Sequence, residues 1–174
     1  WIANETRPVL DDRRTMRLVA LGDGEYLIDL EWELTAAHGK VTFVSDKVHY
    51  AWPYVCMHSQ FSGKKGGTIT NDSGETGEEG THEKVAKWVD YSNTVGGETE
   101  GLAVLVYPDG EERRWLTREY GTFGPRRPEK YNGNRFSLNN GESLKGRVGI
   151  LVHRGDVNEG QVAERYQQYI DGEL

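Results

Sequence analysis

The sequence predicts an all-β chain, mainly antiparallel, folded as a β-sandwich with one C-terminal α-helix. Three observations carry that expectation. The 174 residues include 22 glycines, nine tyrosines and five tryptophans, the composition of short strands joined by tight turns rather than of a helical bundle. Ile28, Leu30, Trp32 and Leu34 alternate with Asp29, Glu31 and Glu33, the period of two that gives a strand one apolar and one wet face. Val162, Tyr166, Tyr169 and Ile170 are spaced to share one stripe of a helix, a pattern that occurs nowhere else in the chain.

Taken in order, residues 15–21 and 25–35 form a hairpin across the Gly22-Asp-Gly24 turn, with the three acids of the second strand on a solvated face. His38-Gly-Lys40 turns the chain into a strand at 41–44. Tyr50-Ala-Trp-Pro-Tyr-Val-Cys-Met57 is a short apolar segment that Pro53 confines to an edge, bulge or irregular position. From 61 to 81 the chain is rich in glycine and acids and reads as a long polar loop, a length that marks functional or mobile connections. Strands resume at 84–91 and 102–107, joined through Gly96-Gly97, and at 115–120 after the Pro108-Asp-Gly110 turn. Residues 136–138, the Asn139-Asn-Gly141 turn and 146–153 complete the series, the last a continuous apolar run of the kind that sits centrally in a sheet. Asp156-Val-Asn-Glu-Gly160 opens the helix at 161–170 and Gly172 closes it.

The length fits a single domain, 1–174. A net charge of −7 gives the wrong sign for phosphate backbones or anionic bilayers, so neither nucleic acid nor membrane is an expected partner. The longest apolar run, 102–107, is strand length and far short of the ~20 residues that span a bilayer. With one cysteine, Cys56, no intrachain disulfide forms, and the residue reads as a small packed apolar group. The chain opens without a methionine or a secretory pattern, so it is expected to be truncated at its N-terminus, and its compartment is not legible.

Cofactor and metal expectations are negative. His38, His49, His58, His82 and His153 lack the spacing of a zinc site. Asn71-Asp-Ser-Gly-Glu75 offers oxygen ligands without the calcium-loop spacing. Gly63-Lys-Lys-Gly-Gly67 lacks the context of a phosphate loop, and no nucleophile elbow occurs. What remains is a constellation of Trp88, Asp90, Tyr91, Trp115, Arg118, Tyr120, Arg126 and Arg127, joined by His153 at the end of an apolar strand. Aromatic faces stack on the C–H faces of sugars while Asp and Arg bond hydroxyls or a uronate. The same tryptophans suit a core, with Asp90 and Arg118 as a structural ion pair. Carbohydrate binding or modification is therefore the leading expectation. An assembly module that pairs through exposed strand edges, with a missing N-terminal segment or another chain, is the alternative. A glycoside-acting acid/base enzyme built on Asp90, Glu100 and Glu119 is the third.

Trp1-Ile-Ala-Asn-Glu-Thr6, Gly66-Gly67, Trp88-Val-Asp-Tyr91, Glu100-Gly-Leu-Ala103, Tyr120-Gly-Thr-Phe-Gly124 and Leu151-Val-His-Arg-Gly155 resemble, in that order and over most of the chain, the C-terminal portion of the bacterial PmoA-like domain family. The resemblance implies a soluble β-sandwich of largely unassigned function in bacteria that degrade polysaccharides. It also brings the label methane oxygenase, which implies a membrane copper enzyme; this sequence has neither the span nor the histidine cluster for one. The histidine-rich N-terminal segment of that family is missing here, and the resemblance transfers no catalytic residue.

Overall fold

The computed structural model describes every residue except 1, 4, 45–50 and 132–134. Trp1 of the opening motif, His49 and Tyr50 thus lie outside the described residues. The strands are β1 (Ile2–Ala3), β2 (Arg7–Pro8), β3 (Asp11–Gly22), β4 (Glu25–Thr35), β5 (Val41–Val44), β6 (Val55–Cys56), β7 (Thr68–Asn71), β8 (Trp88–Val95), β9 (Glu98–Val106), β10 (Trp115–Arg118), β11 (Thr122–Pro125), β12 (Arg135–Leu138) and β13 (Ser143–Arg154), with helices α1 (Gly77–Thr81) and α2 (Val162–Asp171).

Six strands in the order β3-β4-β13-β9-β8-β7 make the main sheet, antiparallel throughout. The apolar run of β13 lies between β4 and β9, where both of its faces are covered and a polar residue on either would have to be satisfied inside the protein. On one face Val89, Tyr91, Val104, Val106 and Val148 meet Trp115 and Phe123 of the three-stranded sheet β10-β11-β6. On the other, Leu27, Trp88, Ala103, Leu105 and Leu151 meet Val162, Tyr166 and Tyr169 of α2. A mainly antiparallel sandwich with a C-terminal helix is therefore the observed architecture, the helix packed on the outer face of the larger sheet. A smaller cluster of Ala36, Phe136, Leu138 and Leu144 ties the β5–β12 pair to the end of β4, with Phe43 and Phe136 stacked at 4.5 Å. Among the described residues no helix is long and apolar enough to cross a membrane.

Several local expectations are corrected. The stretch 61–81 is not a plain polar loop: it carries β7, whose Ile69 is buried, and the short helix α1. Its glycines and acids mask a four-residue edge strand that gains its partner only from β8. The acids of β4 do not all face water, because α2 covers the end of that face where Asp29 sits and leaves Glu31 exposed. Asp29 instead accepts Arg147 Nε and Nη2, each at 2.9 Å, and the Tyr169 hydroxyl at 2.9 Å. Burial by itself would raise this carboxyl, but those hydrogen bonds outweigh it and hold Asp29 below the usual carboxylate range. Conversely, the Ile28 and Leu30 face is only half-buried, because the smaller sheet stops short of β3 and β4. Cys56 is exposed rather than packed, since β6 is a two-residue edge strand of the smaller sheet.

Asp156 organises the approach to α2 rather than capping it. Its Oδ1 accepts the amides of Asn158 and Glu159 at 2.8 and 3.0 Å, and Glu159 Oε2 accepts the Asp156 amide at 3.2 Å. The N-cap position is Gln161, in the left-handed region and without a side-chain bond. Gly172 does end the helix, at φ 78°, with its amide donating to Gln168 and Tyr169 carbonyls.

Candidate functional site

Strand alternation brings polar side chains together on the helix-side face of β7, β8 and β9. Thr70 opposes Asp90, Thr68 opposes Ser92, and Ser92 opposes Gly101. One step further along, Thr94 opposes Thr99, their hydroxyls 2.8 Å apart. Thr68, Thr70, Ser92, Thr94 and Thr99 floor an open cleft of about 540 Å³, to which the turn after β7 adds Gly74 and Thr76 and the turn before α2 adds Asp156, Val157, Asn158 and Glu159. Among the described residues no lysine, arginine or aromatic side chain lines it.

The cleft is held by rigid parts. The Asn71 side chain locks the turn after β7: Oδ1 accepts the amides of Ser73 and Glu75 at 3.1 and 3.0 Å, and Nδ2 donates to Glu75 Oε2 at 2.8 Å. Asn93 Nδ2 donates to the carbonyls of Gln60 and Lys65 at 2.7 and 3.1 Å, fastening the segment that leads to Gly66 and the opposite rim. Gly66 has φ 94°, a conformation that a side chain would strain.

Next to the floor, two polar residues are sealed in. His153 Nε2 and Asp90 Oδ1 are 2.7 Å apart and both side chains have no solvent exposure. His153 Nδ1 lies 3.1 Å from the Arg154 carbonyl. A carbonyl only accepts, so Nδ1 carries a proton and one further proton is shared between Nε2 and the carboxyl. Burial pushes the Asp90 carboxyl up. Burial would lower His153, but the bond and charge of Asp90 outweigh it and raise the imidazole above its ordinary value. Both shifts favour keeping the shared proton on the pair. The ring is clasped by Gly101 and Gly160, where an added Cβ would come within 2.4 Å of Cε1 and 2.1 Å of Nδ1. With both nitrogens engaged, no lone pair of His153 is directed at the Ser92 hydroxyl, and a serine nucleophile activated by histidine is not assembled here.

The predicted constellation is dispersed. Trp88 is buried under α2. Trp115 is fully buried, with its indole N–H donating to the Ala86 carbonyl at 2.9 Å. Tyr91 is fully buried on the opposite face from Trp88, its hydroxyl donating to the Glu119 carbonyl at 2.8 Å. Arg118 is half-buried and paired with Glu78 at 3.0 Å rather than with Asp90. Arg126 is buried and paired with Glu83 at 2.6 Å, while Arg127 lies over the Phe136 ring at 4.9 Å. Tyr120 is exposed in the β10–β11 turn. Of these residues, Tyr91 and Trp115 meet in the core and Asp90 bonds His153, and none of the set lines the cleft. The carboxylates considered for sugar cleavage do not converge either, since Glu100 opposes Asn93 on β8 and Glu119 follows β10 in the other sheet. Among the described residues no three His, Cys, Asp or Glu side chains are grouped to hold a metal. The cleft residues were missed because single threonines and serines carry no motif; the one available signal was the alternation Thr68-Ile-Thr70.

One family model matches residues 1–167, and it is described as a family of unknown function, DUF6807. That match replaces the expected PmoA-like membership. No curated protein and no solved structure matches the chain.

Proposed function

The chain belongs to DUF6807, a family of unknown function, and we propose that it binds a small, uncharged, polyhydroxylated ligand of the sugar class in the threonine- and serine-lined cleft. The reading rests on one feature, a wall of hydroxyls from Thr68, Thr70, Thr76, Ser92, Thr94 and Thr99 with no basic or aromatic side chain among the described residues. A hydroxyl donates and accepts at once, so such a wall complements another hydroxylated surface without burying charge. The acids Asp156 and Glu159 at the rim, unmatched by any lining cation, disfavour anionic sugars. Without an aromatic platform, affinity depends on hydrogen bonds and on strands that hold their donors in place before the ligand arrives. The acid–base pair Asp90 and His153 is sealed from solvent, which favours binding over turnover.

Titrating ¹⁵N-labelled chain with neutral mono- and oligosaccharides is expected to shift the amides of Thr68, Thr70, Ser92, Thr94 and Thr99, and a uronate is expected to leave them in place. Thr70→Val and Ser92→Ala each weaken binding roughly two- to tenfold, the worth of one hydrogen bond at about 0.5–1.5 kcal/mol. A folded chain whose cleft amides ignore every neutral sugar, or respond equally to uronates, would remove this reading.

A further inference from the structure

The main sheet ends in two very different edges. β7 is four residues long, whereas β3 is a strand of 12 residues that, among the described residues, pairs only with β4. A strand of that length leaves a row of backbone groups along its outer side, the template on which another strand adds. Two of the common safeguards, proline and lysine, are missing from it, and its register irregularity falls at the far end, between Ala20 and Gly22. Met16 and Leu18 are 69% and 68% exposed. Its arginines each have an acid partner within the chain, Arg13 with Glu33, Arg14 with Asp12 and Arg17 with Asp29, so a like strand meets little net repulsion and only directly opposed arginines count against a register.

We propose that the occupant of this edge is a second copy of the chain, pairing β3 with β3 antiparallel so that Met16 lies opposite its own mate and the two six-stranded sheets become one. Charge order selects that register. A two-fold axis perpendicular to the sheet keeps equivalent faces together, and it must pass through a residue that meets itself. Centred on Arg13, Arg14 or Arg17, the pairing sets an arginine against itself; centred on Thr15, it sets Arg13 against Arg17. Directly opposed like charges destabilise a pair of strands. Centred on Met16, Arg13 opposes Val19, Arg14 opposes Leu18 and Arg17 opposes Thr15, while residues 12–20 of both copies stay engaged. Axes at Leu18 or beyond also avoid the clash, but they reach the irregularity and use a shorter length of strand.

The test is the mass of the purified chain in solution by light scattering, with its concentration dependence. Dimers are expected at about 100 μM, a regime that detects even modest affinities. Met16→Lys sets two ammonium groups face to face and is expected to raise the dissociation constant more than tenfold while leaving the melting temperature unchanged at concentrations low enough for both proteins to be monomeric. In a Cys56→Ser background, Met16→Cys is expected to oxidise to a disulfide-linked dimer in much higher yield than Leu18→Cys, whose neighbour across the edge is Arg14. A monomer at all concentrations, a dimer indifferent to Met16→Lys, or equal cross-linking by both cysteines would overturn the proposal.

Discussion

Two residue clusters give the molecule opposite responses to pH. Asp29, held low by Arg147 and Tyr169 despite its burial, binds fewer protons folded than unfolded. Its stabilisation is present above the ordinary carboxylate value near 4 and is lost as pH falls through the lower folded value. His153 is held high by Asp90 against the effect of burial, so it binds more protons folded than unfolded. That stabilisation is complete below the ordinary imidazole value of about 6.5 and is lost as pH rises through the raised folded value. Thermal melts across pH are therefore expected to be highest on a plateau between these limits. Replacing Asp90 with Asn should flatten the alkaline limb; an alkaline limb that survives Asp90→Asn would assign it to another group. The pair also illustrates what sequence reading could reach at this scale. Asp90 and His153 were both recognisable as polar residues on apolar strands, but 63 positions separate them, and only the β8-β9-β13 register shows that they bond each other instead of a ligand.

At the scale of elements, α2 is the piece whose removal the main sheet would feel most. Val162 and Tyr169 are fully buried and Tyr166 nearly so, and apolar burial of this kind contributes about 1.5–3 kcal/mol for each large side chain. Tyr169 adds a polar anchor, since its hydroxyl donates to Asp29 and its ring lies edge-on to Tyr107 at 5.6 Å. Tyr169→Phe keeps the ring and deletes the hydroxyl, so a loss of about 1.5–3 kcal/mol is expected for a bond to a charged acceptor, read from urea midpoints with an unchanged slope. An unchanged midpoint would mean that Arg147 alone satisfies Asp29. The helix itself was legible because its stripe and its closing Gly172 are local signals. β7 and β11 were not, because four-residue strands carry little periodicity and owe their existence to β8 and β10.

For the whole molecule, layering orders stability. β13 and β9 are central strands with covered faces, whereas β3 is an edge strand that is exposed along most of its length. Amide exchange is expected to be slowest in β9 and β13 and fastest in β3, with protection of β3 rising as concentration increases if copies pair along it. Slow exchange in β3 at low concentration would contradict this layering. The sequence by itself determined the strand-rich class, the β3–β4 hairpin, the central position of β13 and the C-terminal helix, because hydrophobic period, turn glycines and helix stops act over a few neighbouring residues. Tertiary structure alone decided which face each polar residue serves. It turned Asp29 inward under α2, sealed Asp90 against His153, separated the tryptophans and arginines into different packing environments, and gathered unremarked threonines and a serine into one cleft. Those outcomes depend on strand order and on which layer covers which half of the sheet, contacts between distant positions that no local pattern encodes.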